Sequence, residues 1–208
     1  MKKCIIFAAA PINDLSFVKV PENAYIICAD AGYKHAERLN IMPDLIVGDF
    51  DSASKPQTQN ASVISFNKRK DDTDLMLAIK YGIEMGCEDF YIYGALGERL
   101  DHTIASITAL SYILDNNLKA RLIDENCEVS MLPIGEYEIE NLGGYLSLFP
   151  FGCSSVSVCI EGCEYNGTFS LISSFPLGVS NKIINKKCKL NVLAGDSNAR
   201  VLVIKTKN

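Results

Sequence analysis

Asp44-Leu45-Ile46-Val47-Gly48-Asp49-Phe50-Asp51-Ser52 is the stretch from which the fold can be read. An apolar run of strand length stops at a glycine, and two carboxylates one residue apart follow at once. Leu45, Ile46 and Val47 read as a buried strand, and Gly48 lets the backbone turn where that strand ends. Asp49 and Asp51 then belong at the strand's carboxyl edge. Two hard oxygen donors so spaced suit Mg²⁺, which is held by one or two carboxylates and keeps positions for water and phosphate oxygens. A turn rich in Asp and Ser would give the same local pattern, so the neighbouring segments have to decide.

Outward from this run the same grammar repeats. Apolar runs at 3–8, 25–28, 45–47, 63–65, 90–93 and 121–124 alternate with longer segments of helical period, which predicts an α/β layer with mostly parallel strands over residues 1–125. One predicted helix, 74–85, sets Leu75, Ala78, Ile79 and Ile83 on one face; another, 103–114, sets Ile104, Ile107, Leu110, Ser111 and Leu114 together. Beyond Glu125 the texture changes to short runs at 145–149, 155–160, 168–172, 189–193 and 200–205, broken by glycine turns. Residues 126–208 are therefore expected to form a second, all-β unit, small for an independent core and so leaning on the first unit or on a partner subunit.

Each suspicious polar cluster of the first half follows a predicted strand. Asp30 follows 25–28, Asp71-Asp72-Thr73-Asp74 follows 63–65 through the basic Lys68-Arg69-Lys70, and Gly94 to His102 follows 90–93. In a parallel sheet such loops leave the carboxyl edge, where ligands bind. Asp30, Thr73 and Asp101 each stand where a helix begins and could be N-caps. A cap needs one acceptor, however, and Asp49 with Asp51, or Asp71 and Asp72 with Asp74, supplies more negative charge than capping uses. Their mutual repulsion calls for a cation. Gly94, Gly97 and Arg99 have the character of a phosphate-binding loop, with close backbone approach and a guanidinium fork. No GxxxxGK[ST] motif occurs, so a nucleotide would be held by metal, basic side chains and backbone amides. His102 is either a general base or a polar residue in a helix's first turn.

Composition narrows the partners. Of 208 residues, 20 are Lys or Arg against 25 Asp or Glu, a formal net charge of -5 with only short basic clusters, which disfavours a nucleic acid or an anionic membrane. Eight cysteines are scattered without a CxxC pair, and two lysines precede an apolar segment too short for a signal peptide or a membrane span. Buried reduced thiols in a cytoplasmic protein are the expectation.

Ala29-Asp30-Ala31-Gly32, Pro43 to Ser52, Lys70-Asp71-Asp72-Thr73-Asp74 and Gly97-Glu98-Arg99-Leu100-Asp101-His102, in that order, resemble the motif series of the thiamin pyrophosphokinase (thiamin diphosphokinase) family. Gly178-Val179-Ser180-Asn181 resembles that family's GxSN segment. The resemblance implies ATP-dependent transfer of a diphosphoryl group to the hydroxyl of thiamin, with release of AMP. It implies that Asp49, Asp51 and Asp74, with Asp71 and Asp101, form the Mg²⁺ and phosphate site, with Asp30 beside them and Arg99 facing the phosphates. Asp74, Asp101 and Arg99 would be the catalytic set, and Asp30, Asp71, Thr73, Gly97 and His102 the ATP side. Ser180 and Asn181 would contact the thiamin pyrimidine. The family's homodimer, with the β-sandwich of one subunit closing over the catalytic domain of the other, would put thiamin at the subunit interface. Three positions depart from the family's glycines: Ala31, the Ala8-Ala9-Ala10 run, and Glu98. A metal-dependent phosphoesterase and a non-catalytic nucleotide-binding module are the rival readings of the same acidic loops.

Overall fold

The structure, a computed structural model, describes residues 1–48, 61–65, 72–97, 99–196 and 198–207. The chain divides into two compact units, Met1–Glu125 and Asn126–Asn208. In the first, the strands are β1 (Lys3–Phe7), β2 (Tyr25–Ala29), β3 (Leu45–Gly48), β4 (Ser62–Ser65), β5 (Asp89–Tyr93) and β6 (Lys119–Ile123). The helices are α1 (Tyr33–Arg38), α2 (Asp74–Glu84) and α3 (Leu100–Asp115), and a 3-10 turn covers Asp30–Gly32. The strands run in the order β6-β5-β1-β2-β3-β4, every neighbouring pair parallel. All six carboxyl ends therefore share one edge. Cys4, Ile5, Ile6 and Phe7 of the central β1 are wholly buried, which is why β1 reads as an unbroken apolar run rather than an alternating one.

The chain builds outward from β1 through β2, β3 and β4, then crosses back to place β5 on the other side of β1. The order reverses between β1 and β5, and loops leaving the carboxyl ends on either side of such a reversal open a crevice. Helix α3 differs from its sequence reading in which face it buries. Ser106, Ala109, Leu110 and Ile113 are inside, while Ile104 is 56% exposed. A serine can occupy the buried stripe because its Oγ donates to the His102 carbonyl at 2.8 Å, so its hydroxyl is satisfied within the helix.

The second unit contains β7 (Cys127–Pro133), β8 (Gly135–Glu140), β9 (Tyr145–Phe151), β10 (Ser155–Glu161), β11 (Gly167–Ile172), β12 (Asn181–Lys182), β13 (Lys187–Gly195) and β14 (Arg200–Thr206). They form two antiparallel arrays, β12-β9-β14-β7 and β11-β10-β13-β8. Leu146, Leu148, Val201 and Val203 of one array and Val156, Val158, Leu190 and Val192 of the other belong to a single buried cluster, none more than 2% exposed. Each contributes about 2 kcal/mol by leaving water, and together they hold the arrays face to face. Among the described residues no helix is long and apolar enough to cross a membrane.

Candidate active site

At the carboxyl edge of the parallel sheet main chain packs directly against main chain. Gly94, just past β5, has φ 66°, and a Cβ there would lie 2.6 Å from the Ala8 carbonyl oxygen and 3.0 Å from that of Ala10. Ala8 N–H donates to Tyr93 O at 2.8 Å and Ala10 N–H to Gly94 O at 2.9 Å, so the loops on either side of the reversal are sewn together. Gly32 is tighter still, since its Cβ would stand 2.0 Å from the Phe7 oxygen. Gly48 packs against the Asp30 backbone, where a Cβ would be 3.0 Å from the Asp30 Cα. Gly48, the last residue of β3, thus lies directly beside Asp30.

Asp30, the residue after β2, is in the left-handed region, φ 48°, a conformation that aspartate tolerates better than most residues. Thr73 is the N-cap of α2: its Oγ1 accepts from Met76 N at 3.2 Å, and Asp74 opens the helix's first turn, half-buried. Asp72 pairs with Lys80 at 2.6 Å, and that hydrogen bond raises the lysine's pKa. The acidic run is therefore divided among tasks, with Asp72 tied to α2, Thr73 capping it and Asp74 at its mouth. Asp49, Asp51 and Asp71 lie outside the described residues, as does Glu98.

Gly97 and Thr103 are joined twice at 3.3 Å, the Gly97 amide donating to Thr103 Oγ1 and that hydroxyl donating to the Gly97 carbonyl. Arg99 is the N-cap residue of α3 in extended conformation, without a side-chain cap bond, so Asp101 lies within the first turn of the helix and is not its cap. The two form a forked pair, Nε to Oδ1 at 3.2 Å and Nη2 to Oδ2 at 2.5 Å, which holds the Asp101 carboxyl below its ordinary pKa and raises that of the guanidinium. Both side chains are about two-thirds exposed (68% and 66%), so water competes for each, and the pair gives way readily to a stronger anion. His102 is exposed in the first turn of α3.

Two residues that the sequence reading passed over also act at this edge. His35 and Arg38 of α1 bond to the main chain of the loop after β1, at Ala10 in the first case and at Ile12 and Asn13 in the second. Their partners lie 25 and 26 residues away, so no local signal marks them. Among the described residues no three His, Cys, Asp or Glu side chains form a group that could hold a metal.

In the second unit, Ser180 has φ 61° and its amide donates to Ser147 Oγ at 3.0 Å. Gly178 before it approaches the Leu148 carbonyl so closely that a Cβ would lie 2.3 Å from the oxygen. Asn181 is buried, and its carboxamide is largely spent inside the protein. Oδ1 accepts from Tyr165 N at 3.0 Å and Lys182 N at 2.9 Å, while Nδ2 donates to Tyr165 O at 2.8 Å. One N–H of the amide remains for any other partner.

A family model described as "Thiamin pyrophosphokinase, catalytic domain" matches residues 19–122. The chain is 30% identical over 199 residues to a thiamine pyrophosphokinase of Bacillus subtilis (strain 168), covering 90% of this chain and 92% of that one. A crystal structure of thiamine pyrophosphokinase from Bacillus subtilis superposes with a TM-score of 0.88 at 27% identity, covering 100% of both chains. Thiamin pyrophosphokinase from Candida albicans shares the fold alone, with a TM-score of 0.78 at 17% identity over 99% of this chain and 90% of that one. The matched segment takes in every acidic loop of the carboxyl edge, and the similarity continues through nearly the whole length of the bacterial relative: the chain belongs to the thiamin pyrophosphokinase family.

Proposed function

We propose that this chain transfers a diphosphoryl group from ATP to the hydroxyl of thiamin, giving thiamin diphosphate and AMP, at the carboxyl edge of the parallel sheet. Such transfer is the activity of its family. The observation that supports the placement is that Asp30, Asp74, Gly97, Arg99 and Asp101 all stand on loops or first helical turns that follow the carboxyl ends of β2, β4 and β5 in one parallel sheet. In the proposal Asp49, Asp51 and Asp74 hold Mg²⁺, with Asp30, Asp71, Thr73, Gly97 and His102 on the ATP side and Arg99 on the phosphates. The donors fit that ion, because carboxylate oxygens are what a hard divalent cation takes. When bound, Mg²⁺ supplies charge neutralisation on the phosphate oxygens and a template for in-line geometry.

What the chain's own residues do follows from their surroundings. Arg99 exchanges its exposed partner Asp101 for a phosphate oxygen at small cost, because the pair it leaves is worth little in water. Asp74 or Asp101 takes the proton of the thiamin hydroxyl as that oxygen attacks the β-phosphorus and AMP leaves. Thr73 acts by fixing the start of α2 and hence Asp74. In the second unit Ser180 and the remaining N–H of Asn181 receive the pyrimidine. The exposed Phe175, Leu177 and Val179 beside them support a homodimer with thiamin at the subunit interface.

The test is direct. Purified protein given ATP, Mg²⁺ and thiamin should yield AMP and thiamin diphosphate in equal amounts. Absence of both rejects the proposal, and inorganic phosphate released without thiamin assigns the site to hydrolysis instead. Sedimentation at micromolar concentration should show a dimer, and a monomer would remove the interfacial thiamin site.

A further inference from the structure

The loop leaving β1, Ala8-Ala9-Ala10-Pro11-Ile12-Asn13, crosses the carboxyl edge where strand order reverses, and two side chains of α1 grip it through its carbonyls. Arg38 Nη1 donates to Ile12 O at 2.5 Å and Nη2 to Asn13 O at 2.7 Å, so one planar fork fixes two successive carbonyl groups. His35 lies 3.0 Å from Ala10 O through Nε2. A carbonyl only accepts, so Nε2 carries the proton and donates, as it does in the neutral Nε2–H tautomer. Burial favours that form, for the ring is 6% exposed and its pKa is lowered mainly by desolvation. From the other side the same loop is bonded to Tyr93 and Gly94 past the end of β5. An exposed loop could have left these carbonyls to water; here a helix on one side and a strand end on the other both define it.

We propose that His35 and Arg38 form a positioning pair that holds the β1 loop in the shape that receives ATP, without touching the nucleotide themselves. The inference rests on the reading that the carboxyl edge binds ATP. It goes further in assigning two residues outside every acidic motif to nucleotide affinity. A loop held this way lowers the ordering that the nucleotide must otherwise impose on binding, so loosening it should weaken ATP binding and leave the chemical step and thiamin binding largely alone.

Four variants separate this from a merely structural role. Arg38→Met should raise the KM for ATP about tenfold while kcat and the KM for thiamin stay within about twofold. Arg38→Lys, with a point charge in place of the fork, should fall between Arg38→Met and the parent. His35→Leu should raise the KM for ATP about threefold, whereas His35→Gln, whose amide can still donate to Ala10 O, should recover most of the loss. A structural role alone would lower the melting temperature and the active fraction with an unchanged KM for ATP, and that result overturns the proposal. So does an equal rise in the KM for thiamin. If Arg38→Met does not fold, the order parent, His35→Gln, His35→Leu carries the same comparison, and equal KM values across it overturn the pairing. If the parent makes no AMP, calorimetric titration with ATP distinguishes the two failures: about tenfold weaker binding by Arg38→Met sustains the pair without the reaction, and equal binding removes it.

Discussion

Asn181 offers the sharpest test of how the second unit is put together, because its side chain and that of Asn166 hold the same turn. Asn166 closes the turn upon itself, Oδ1 accepting from Cys163 N at 2.9 Å and Nδ2 donating to Cys163 O at 2.7 Å. Asn181 anchors it to β12 through both backbone groups of Tyr165 and also accepts from Lys182 N. Asn181→Ala removes three hydrogen bonds at a buried position, and at about 1 kcal/mol each the loss is about 3 kcal/mol. With an m value of about 1.5 kcal/mol/M in urea, the midpoint for the Asn126–Asn208 unit should fall by about 2 M. Far-ultraviolet circular dichroism would follow it, and tyrosine fluorescence gives a second probe in a chain without tryptophan. Asn166→Ala should cost about 2 kcal/mol by the same reasoning from its two bonds. Once either anchor is gone, the turn is already loosened and the other has less to hold. The double variant should therefore be less damaging than the sum, with a coupling of about 0.5 to 1 kcal/mol. A loss below about 1 kcal/mol for Asn181→Ala would mean that water replaces the carboxamide at Tyr165, and strict additivity would mean that the two residues do not share a turn; either refutes the reasoning.

Gly32→Ala should cost at least about 3 kcal/mol in thermal or urea unfolding, because its Cβ meets the β1 main chain at 2.0 Å, while Gly86→Ala, strained only by φ 76° in open space, should cost about 1 kcal/mol. His35, with its pKa lowered from 6.5 in the folded state, contributes stability that is complete above 6.5 and is lost as pH falls through the folded value. The imidazole of His35 should accordingly titrate below 6.5 by NMR, and His35→Gln should flatten the stability profile in that acidic window; a midpoint at or above 6.5 contradicts the burial argument. Asp51→Asn should lower AMP production at least about 100-fold while leaving the unfolding midpoint within error, as expected for a carboxylate that serves a cation and not the fold; a variant with full turnover removes Asp51 from the metal site.

The parallel sheet was legible because its strands carry apolar runs, unbroken where both faces are buried as in β1 and shorter at the edge strand β4, whose Ser62 and Ser65 are exposed, and each run marked in the first half is a strand. Legibility failed where a strand has one wet face and little apolar bulk. Gly135–Glu140 alternates Glu136, Glu138 and Glu140 with Tyr137 and Ile139, and Cys127–Pro133 interleaves Glu128 and Ser130; neither has the apolar density that marked the other runs. Helix α3 was placed correctly but turned wrongly, because a pattern of large apolar residues gave no weight to a buried serine that satisfies itself against its own helix. At the candidate site, residue type and position after a strand were enough to nominate acidic loops. They also offered Thr73 as a cap, which it is, but could not reveal that Asn181 is spent on Tyr165 or that His35 and Arg38 reach back to the β1 loop. Those roles depend on which backbone group a side chain meets across the fold, and that is information a spacing does not carry.

The glycines explain why the departures from the family pattern are compatible with this edge. Of the pair that follows the aspartate in the family, the chain keeps the second, Gly32, and that is the position where main chain meets main chain at the end of β1; Ala31 is half-buried and its methyl is accommodated. At the reversal the demand for a bare Cα falls on the β5 side, at Gly94, whose Cβ would strike the carbonyls of Ala8 and Ala10. The β1 side is then free to carry alanines. Ala10 and Gly97 divide one small space, since a Cβ at 97 would stand 3.1 Å from the Ala10 methyl, so the loop pair has room for a methyl on one side or the other but little for both. Steric demand between two loops is a property of the pair, and a glycine missing from one strand end is offset where its neighbour across the crevice has kept one.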